Sequence, residues 1–192
     1  LRAVELVGEL IEAGVESLKI EGRTKSFYYV ARTAQIYRQA IDDAIANKPF
    51  DESLNQQLEH LAHRGYTEGF LRRHKKNHSQ EMQNYQYGYS KSESQQFVGE
   101  VLGRNEENGL IEIEVKNKFM VGDELELMTP SGNQNFTLTH MEYLNGEVVL
   151  DAKGSGYKVF ISLETQLDLN FAILMRYLDE QETTRQPFYQ AK

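Results

Sequence analysis

The sequence predicts an α+β fold in which a helix–strand–helix segment is followed by a small antiparallel β-barrel. Two observations predict it. Apolar residues recur every three or four positions through most of residues 1–61, which is helical spacing, whereas beyond residue 97 they alternate with polar residues, as in strands. The charge also changes along the chain, because a basic stretch in the middle precedes an acidic second half.

These changes divide the chain into four parts. We expect residues 1–80 to belong to an α/β domain and residues 81–96 to be a polar linker rich in Gln and Ser. Residues 97–170 are expected to form the barrel, and residues 171–192 a C-terminal tail. A length of 192 residues suits one large domain or two small ones, and the change of period favours two.

The first predicted elements are a helix and a strand. The helix has an apolar face made by Val4, Val7 and Ile11. It ends near Gly14, and the strand covers Ser17–Gly22, where apolar and charged residues alternate. A lone strand leaves its backbone groups unpaired, so its neighbours are expected to lie outside this chain.

Two further helices are predicted after this strand. The first runs from Phe27 to Asn47, and its apolar face consists of Val30, Ala34, Tyr37, Ile41 and Ile45. Pro49 ends it, and Asp51 is the candidate N-cap of the next helix. The apolar stripe of that helix is Leu54, Leu58 and Leu61. Helices and a strand joined by short connections are typical of an α/β layer.

Short strands dominate the second half of the sequence. They are predicted near residues 97–103, 110–116, 124–129, 136–143, 147–151 and 157–163. Asn108–Gly109 and Asn145–Gly146 are typical of tight hairpin turns. Closing such strands into a small barrel would remove their exposed edges, which is why we expect a barrel.

Composition excludes several classes of protein. The chain contains no cysteine, so it can form neither a disulfide framework nor a thiolate-held metal site by itself. It has no apolar run long enough to span a bilayer and no pattern of a signal peptide, and we expect a cytoplasmic location. Because Leu1 lies directly inside a helical pattern, we expect this chain to be a fragment of a longer protein.

Several stretches resemble the collagenase-like peptidase family U32. They are Ser17–Tyr29 (SLKIEGRTKSFYY), His63–Phe70 (HRGYTEGF), Val115–Phe119 with Val121–Asp123, and Ala172–Tyr177. The resemblance covers nearly the whole chain. It implies that residues 1–80 complete a (β/α) barrel-type catalytic domain and that the small β-barrel is an accessory module.

The resemblance also implies a function. Within the family the chain is most similar to a branch that hydroxylates the wobble uridine of tRNA to 5-hydroxyuridine, with prephenate as a small anionic substrate. That branch carries an iron–sulfur cluster on cysteines, which are expected upstream of this chain. Some relatives have a cysteine where this chain has Val30, so that position is not expected to be a required cluster ligand.

Three charged residues at the end of the predicted strand are the candidate catalytic residues. They are Lys19, Glu21 and Arg23. In α/β domains the carboxyl ends of strands line the active site, and Glu21 could orient Arg23 or Lys19 to clamp an anionic substrate. A structural ion pair at a strand end explains the same residues equally well, and only the family resemblance favours catalysis.

The start of the second helix is a candidate substrate-binding site. Thr24, Lys25 and Ser26 precede its first turn, where unpaired backbone N–H groups attract anions. Helix capping is the commoner role of such residues.

A basic stretch is the candidate RNA-binding region. Between His60 and His78 there are five Lys and Arg residues against one acid, whereas Phe97–Glu182 has sixteen acids against six bases. The predicted RNA contacts are Arg64, Tyr66, Arg72, Arg73, Lys75 and Lys76. Cations neutralise phosphates and tyrosine rings stack on unpaired bases. A solvated helix end is the alternative interpretation.

Other chemistries lack support in the sequence. His60 with His63, and His74 with His78, lack a third ligand, so no metal site is expected. No nucleophile motif and no glycine-rich phosphate loop is present. The leading hypothesis is therefore a part of a tRNA-hydroxylating enzyme, inactive by itself. A collagenase-like peptidase is the second hypothesis, and a non-enzymatic RNA- or protein-binding module is the third.

Overall fold

The structure, a computed structural model, describes residues 2–61, 71, 94–154 and 156–178. The chain divides into two compact units, Leu1–Glu93 and Ser94–Lys192, and each is described by itself. None of the helices within the described ranges has both the length and the apolar character that crossing a bilayer demands.

Helices make up the regular structure of the first unit as far as the described ranges go. A 3-10 turn at Val4–Leu6 leads into α1 (Val7–Glu12), which is followed by α2 (Phe27–Ile45) and α3 (Ser53–Glu59). Helix α2 packs against both α1 and α3. The N-cap of α3 is Glu52 and not the predicted Asp51, but Oδ1 of Asp51 accepts a hydrogen bond from the backbone N–H of Ser53 at 2.9 Å and so stabilises the start of the helix.

Among the described residues, the buried hydrophobic side chains of this unit come from the 3-10 turn, from all three helices and from Leu61 after α3. They are Val4, Leu6, Val7, Tyr28, Ile36, Ala40, Leu54, Leu58 and Leu61. The predicted leucine stripe of α3 is therefore confirmed as core.

Helix α2 buries the side opposite to its predicted apolar face. Its buried residues are Tyr28, Arg32, Thr33, Ile36, Ala40 and Asp43. On the other side Phe27, Val30 and Ile45 remain 50%, 38% and 64% exposed. The spacing thus located the helix correctly, but the face that it marked lies at the surface of this chain.

The strand predicted at Ser17–Gly22 is wrong for this chain. Residues 15–22 form neither helix nor strand, and residues 16–21 make no backbone–backbone hydrogen bond with any described residue. The physical reason is that no strand of the first unit lies beside them in the described ranges, and strand geometry persists only when neighbouring backbone groups pair. A remnant of a (β/α) barrel is therefore not shown.

Antiparallel strands make up the second unit. They are β1 (Gln95–Arg104), β2 (Ile111–Val115), β3 (Phe119–Met120), β4 (Glu124–Thr129), β5 (Gly132–Thr137), β6 (Met141–Glu142), β7 (Asp151–Ala152), β8 (Lys158–Ile161) and β9 (Ile173–Tyr177). Seven of them form one sheet in the order β5-β4-β9-β1-β2-β8-β6, and β3 pairs with β7. The prediction of an antiparallel sheet is confirmed.

Strand β9 differs from the sequence prediction, which assigned its residues to a tail. It lies between β4 and β1, with Leu127 opposite Leu174 and Gln96 opposite Arg176. Ile173–Met175 is buried on both faces, so the sequence shows a continuous apolar run instead of alternation. The strand predicted at 136–143 is two separate strands in the structure, because β5 ends at Thr137 and β6 begins at Met141. In place of the strand predicted at 147–151, the structure has the short strand β7 and a single bridge between Glu142 and Val148.

The sheet of the second unit encloses one apolar core. Its buried members include Val98, Ile111, Ile113, Val115, Phe119, Leu125, Leu127, Leu138, Met141, Val159, Ile161 and Leu174. Strands β5 and β6 are the two edges, and no ladder joins them within the described ranges. The structure therefore shows the sheet but not its closure into a barrel.

Gly99 in β1 is packed closely against β2 in this core. A Cβ at this position would lie 2.5 Å from Cγ2 of Ile113 and 3.0 Å from the carbonyl oxygen of Glu114. Backbone on one side and a buried β-branched side chain on the other leave no room for a methyl group.

We predict that Gly99→Ala lowers the free energy of unfolding by about 1–3 kcal/mol, because an overpacked core must shift its backbone. Urea unfolding would measure the loss. The matched control is Gly8→Ala in α1, where nothing lies within 4 Å of the added methyl group. It should stabilise α1 by about 0.5–1 kcal/mol, since Ala restricts the unfolded chain more than Gly does. Equal effects of the two substitutions would contradict the packing argument.

Candidate anion site and polar networks

The candidate anion site lies on residues 19–26, immediately before α2. Ser26 is the N-cap of this helix, and its Oγ accepts a hydrogen bond from the backbone N–H of Tyr29 at 3.3 Å. The backbone N–H of Lys25 donates to the carbonyl oxygen of Gly22 at 2.9 Å, which closes a turn just ahead of the cap. The sequence thus folds this segment through ordinary turn and capping contacts.

Glu21 and Arg23 lie together, but not as a side-chain ion pair. Oε1 of Glu21 accepts a hydrogen bond from the backbone N–H of Arg23 at 3.0 Å. Among the described residues, neither the Arg23 guanidinium nor the Lys19 ammonium forms an ion pair. The alternative of a structural ion pair is therefore not seen in this segment, and both cations face solvent.

Lys25 and Thr24 behave differently from each other. The Lys25 ammonium lies 5.2 Å from the centre of the Tyr29 ring, one helical turn further on, which is cation–π distance. Thr24 is exposed, like Lys19, Glu21 and Arg23. The predicted substrate-binding residues thus lie on an open surface, and only Ser26 has a defined role, as the cap.

Gly22 fixes the distance between this segment and α2. A Cβ on Gly22 would lie 2.5 Å from Cγ2 of Val30. No side chain fits there, so the backbone of the segment can lie directly against the helix. This contact places Arg23 beside the N-terminus of α2.

The predicted RNA contacts lie outside the described residues. They are Arg64, Tyr66, Arg72, Arg73, Lys75 and Lys76. His63, His74 and His78 lie outside them as well. In the ranges that the structure does describe, no group of three or more His, Asp or Glu side chains could hold a metal ion.

An iron–sulfur cluster does not fit this chain. Such clusters are held by cysteine thiolates, and the sequence contains no cysteine. The described part of the chain also offers no other group of metal ligands.

Sequence reasoning missed a buried polar network in the second unit. Glu126 is 5% exposed, and its two carboxylate oxygens accept hydrogen bonds from Nε2 of Gln95 at 2.8 Å and Nδ2 of Asn133 at 2.9 Å. These bonds connect β1, β4 and β5 across the sheet. Glu126 stands in a stretch where charged and apolar residues alternate, and nothing in the sequence pattern signals the amides that bind it.

A second polar contact connects two of the stretches that resemble the U32 family. Oδ2 of Asp123 accepts a hydrogen bond from the backbone N–H of Met120 at 2.7 Å, and it lies 3.6 Å from Nη1 of Arg176. Gly122 has φ 97°, a conformation that favours glycine in this turn. The residues of both stretches therefore shape the sheet.

The pKa shifts of the described residues belong to structural contacts. The pKa of Asp43 is lowered, first by the hydrogen bond from Gln39 and then by Lys48. The pKa of Lys116 is raised by its bonds to Glu114 and Glu100, at 3.0 and 3.1 Å. None of these groups lies in residues 19–26.

Each of the two units matches the sequence pattern of a known family. The sequence pattern of Peptidase family U32 matches residues 1–81, and that of the Peptidase family U32 C-terminal domain matches residues 93–176. The chain belongs to peptidase family U32. The two matches correspond to the two compact units, with the change between them close to residue 93.

Named relatives within the U32 family differ in the activities that their names state. The chain is 60% identical over 187 residues to tRNA hydroxylation protein P of Escherichia coli. The aligned region covers 97% of this chain and 40% of that protein. It is 25% identical over 136 residues to a collagenase of Porphyromonas gingivalis, covering 68% of this chain and 36% of that protein. The chain thus spans well under half of these relatives.

A solved structure in the U32 family also matches part of the chain. It is the C-terminal domain of a Geobacillus thermoleovorans U32 protein, 26% identical, with a TM-score of 0.38, covering 42% of this chain and 98% of that one.

We predict that Ser26→Ala lowers the free energy of unfolding of the first unit by about 1 kcal/mol, because the first turn of α2 loses its side-chain cap. Ser26→Asp should preserve stability, since Asp caps helices equally well. Urea unfolding followed by far-UV circular dichroism would compare the two. A Ser26→Ala protein as stable as the parent would show that the cap contributes nothing.

Proposed function

We propose that this chain is part of a protein that hydroxylates the wobble uridine of tRNA to 5-hydroxyuridine. The observation that supports it is the 60% identity, over 97% of this chain, to a tRNA hydroxylation protein. Because the chain spans 40% of that relative, the reaction requires residues beyond those of this chain, and the chain alone should be inactive.

In this proposal residues 19–26 bind the small anionic substrate. Arg23 and Lys19 are solvent-facing cations without an ion-pair partner among the described residues. A guanidinium presents paired donors that match a carboxylate, and prephenate carries two carboxylates. Glu21 would hold the backbone of Arg23 in place through its hydrogen bond of 3.0 Å.

The basic stretch would contact the tRNA. Its cations, from Arg64 to Lys76, contrast with the acidic second unit, whose surface would repel phosphates. The iron–sulfur cluster that the family resemblance implies would be bound by the part of the protein that this chain does not span, since this chain has no cysteine.

The two units would have different roles. The first would complete a (β/α) catalytic domain, and the second would be an accessory barrel. Barrel closure is supported by the short connection between the edge strands, because only residues 138–140 separate β5 from β6. Leu138 in that connection already exchanges backbone hydrogen bonds with Gly122 and Asp123 ahead of β4.

A peptidase is the alternative that the collagenase relative supports. The identity is much lower than to the tRNA hydroxylation protein. The sequence also contains no nucleophile motif that would carry out proteolysis.

The deciding experiment is mass spectrometry of nucleosides from the tRNA of cells that lack the full-length gene. We expect hydroxylated uridine to disappear and to return with the wild-type gene. Arg23→Ala should restore at most about a tenth of it, because a charge-assisted hydrogen bond contributes about 1.5–3 kcal/mol. Arg38→Ala is the matched control, since Arg38 is exposed in the same unit and its ion pair among the described residues is a local one, with Asp42.

Two results would contradict this proposal. Unchanged nucleosides in the deletion strain, in a background without a second hydroxylation pathway, would exclude the tRNA reaction and redirect the search to peptide cleavage. Full restoration by Arg23→Ala would exclude Arg23 as an anion-binding residue while leaving the reaction intact.

A separate prediction concerns tRNA binding. Arg72→Glu with Arg73→Glu in the full-length protein should weaken tRNA binding and make it less dependent on salt, by about one unit of log–log slope for each phosphate that is no longer neutralised. Filter binding across a salt series would measure this. Lys153→Glu, an exposed cation of the second unit, is the control with the same kind of charge change. An equal slope in both variants would refute a role of the basic stretch.

A further inference from the structure

One hairpin of the second unit, residues 141–150, exposes large apolar side chains on its outer side. A bridge between Glu142 and Val148 joins its two arms. The outer residues Leu144, Val148 and Leu150 are 81%, 61% and 71% exposed. Neighbouring apolar side chains that stay exposed in this way are typical of a surface that contacts another molecule.

The inner side of the same hairpin is covered by the core of the second unit. Met141 is fully buried, and Tyr143 and Val149 pack against the core. The hairpin is therefore apolar on both sides, and Val148–Leu150 is a continuous apolar run. Such runs are typical of strands that are buried on both faces. The run in β9 is buried throughout, whereas the outer side of this hairpin is open.

The exposed side chains continue from the hairpin onto β3. The backbone N–H of Val121 donates to the carbonyl oxygen of Leu150 at 2.9 Å, and Met120, which is 37% exposed, pairs with Asp151. The apolar patch thus consists of four residues, Met120, Leu144, Val148 and Leu150. Paired backbone holds this patch in shape, so binding would cost little ordering of the chain.

The charges that border the apolar patch are nearly balanced. Two lysines and a histidine stand against three acids, and these residues are Lys118, His140, Glu142, Glu147, Asp151 and Lys153. Nζ of Lys118 lies 3.8 Å from Oδ2 of Asp151. By contrast, Phe97–Glu182 as a whole has sixteen acids against six Lys and Arg residues.

This balance of charge favours one kind of partner. A nucleic acid requires a concentration of cations, and a basic peptide would be attracted to the more acidic parts of the unit. Two copies of the unit repel each other wherever acids predominate, but this repulsion is weakest where both signs of charge border an apolar patch. A two-fold axis brings identical patches together, so the cations of each copy can lie beside the acids of the other.

We propose that the apolar patch is the contact between two copies of this protein, related by a two-fold axis. Leu144, Val148 and Leu150 of one copy pack against the same residues of the other. An apolar centre with charges only at its border is typical of homodimer contacts. The proposal uses the second unit alone and does not depend on the hydroxylation of tRNA.

Sedimentation velocity over a series of concentrations tests this pairing. The 192-residue chain and the full-length protein should each change from monomer to dimer as the concentration rises. Leu144→Asp should raise the dissociation constant of the dimer at least about tenfold, because each copy then buries a charge in the apolar contact. Phe171→Asp is the matched control and should leave the constant unchanged, since Phe171 is 89% exposed in the same unit but lies outside the patch.

The absence of cysteine from this chain allows a second test. A single introduced cysteine can form a disulfide only with its counterpart in the other copy, and only where the two Cα atoms come within about 7 Å. Under mild oxidation Leu144→Cys or Val148→Cys should give covalent dimers on a non-reducing gel. Phe171→Cys, exposed but outside the patch, should remain monomeric under the same conditions.

Several results would overturn the pairing. One is a protein that stays monomeric up to about 0.3 mM, where a contact of micromolar affinity would be formed. Another is a dimer that Leu144→Asp does not weaken, or in which neither hairpin cysteine forms a disulfide. A dimer of the 192-residue chain that the full-length protein does not form would assign the patch to another part of that protein. None of these readouts measures tRNA hydroxylation, so they are distinct from a failure of the proposed function.

Discussion

The second unit depends on the pairing of one strand, β9. It is hydrogen-bonded to β4 on one side and to β1 on the other. Without it the sheet would separate into a β5–β4 hairpin and a β1–β2–β8–β6 sheet, and the apolar residues between them would lose their cover. Leu174 and Met175 are fully buried, so this strand contributes core side chains as well as backbone bonds.

The same requirement for paired backbone explains the first unit. Helices satisfy their own backbone groups, and α1, α2 and α3 form where their spacing predicts them. A strand cannot do so. Residues 17–22 have the alternating pattern of a strand but no neighbour in the described part of the chain, and they stay irregular.

Much of the fold could be predicted from periodicity, and the exceptions share a cause. Spacing identifies helices and half-buried strands such as β2 because one side of each faces the core. It does not identify the buried run of β9, and it marks the exposed side of α2 instead of the buried side, which includes Arg32, Thr33 and Asp43. Those outcomes depend on neighbours that are distant in sequence or absent from it.

The candidate site was predictable in its local part only. Capping by Ser26 follows from its residue type and its position before a helical run. The hydrogen bond from the backbone N–H of Arg23 to Glu21 could not be predicted in this way, because the sequence suggested that Glu21 would contact a cationic side chain. Similarly, Glu126 owes its place to amides on two other strands.

The close approach of Gly22 to Val30 has an evolutionary consequence. Since a Cβ at position 22 would overlap the valine methyl group at 2.5 Å, position 22 cannot gain a side chain while position 30 remains valine. Position 22 accepts a side chain only if position 30 becomes smaller, whereas residues no larger than valine at position 30 are compatible with glycine. The two positions should therefore covary among homologues, which ties the segment that carries Arg23 to the first turn of α2.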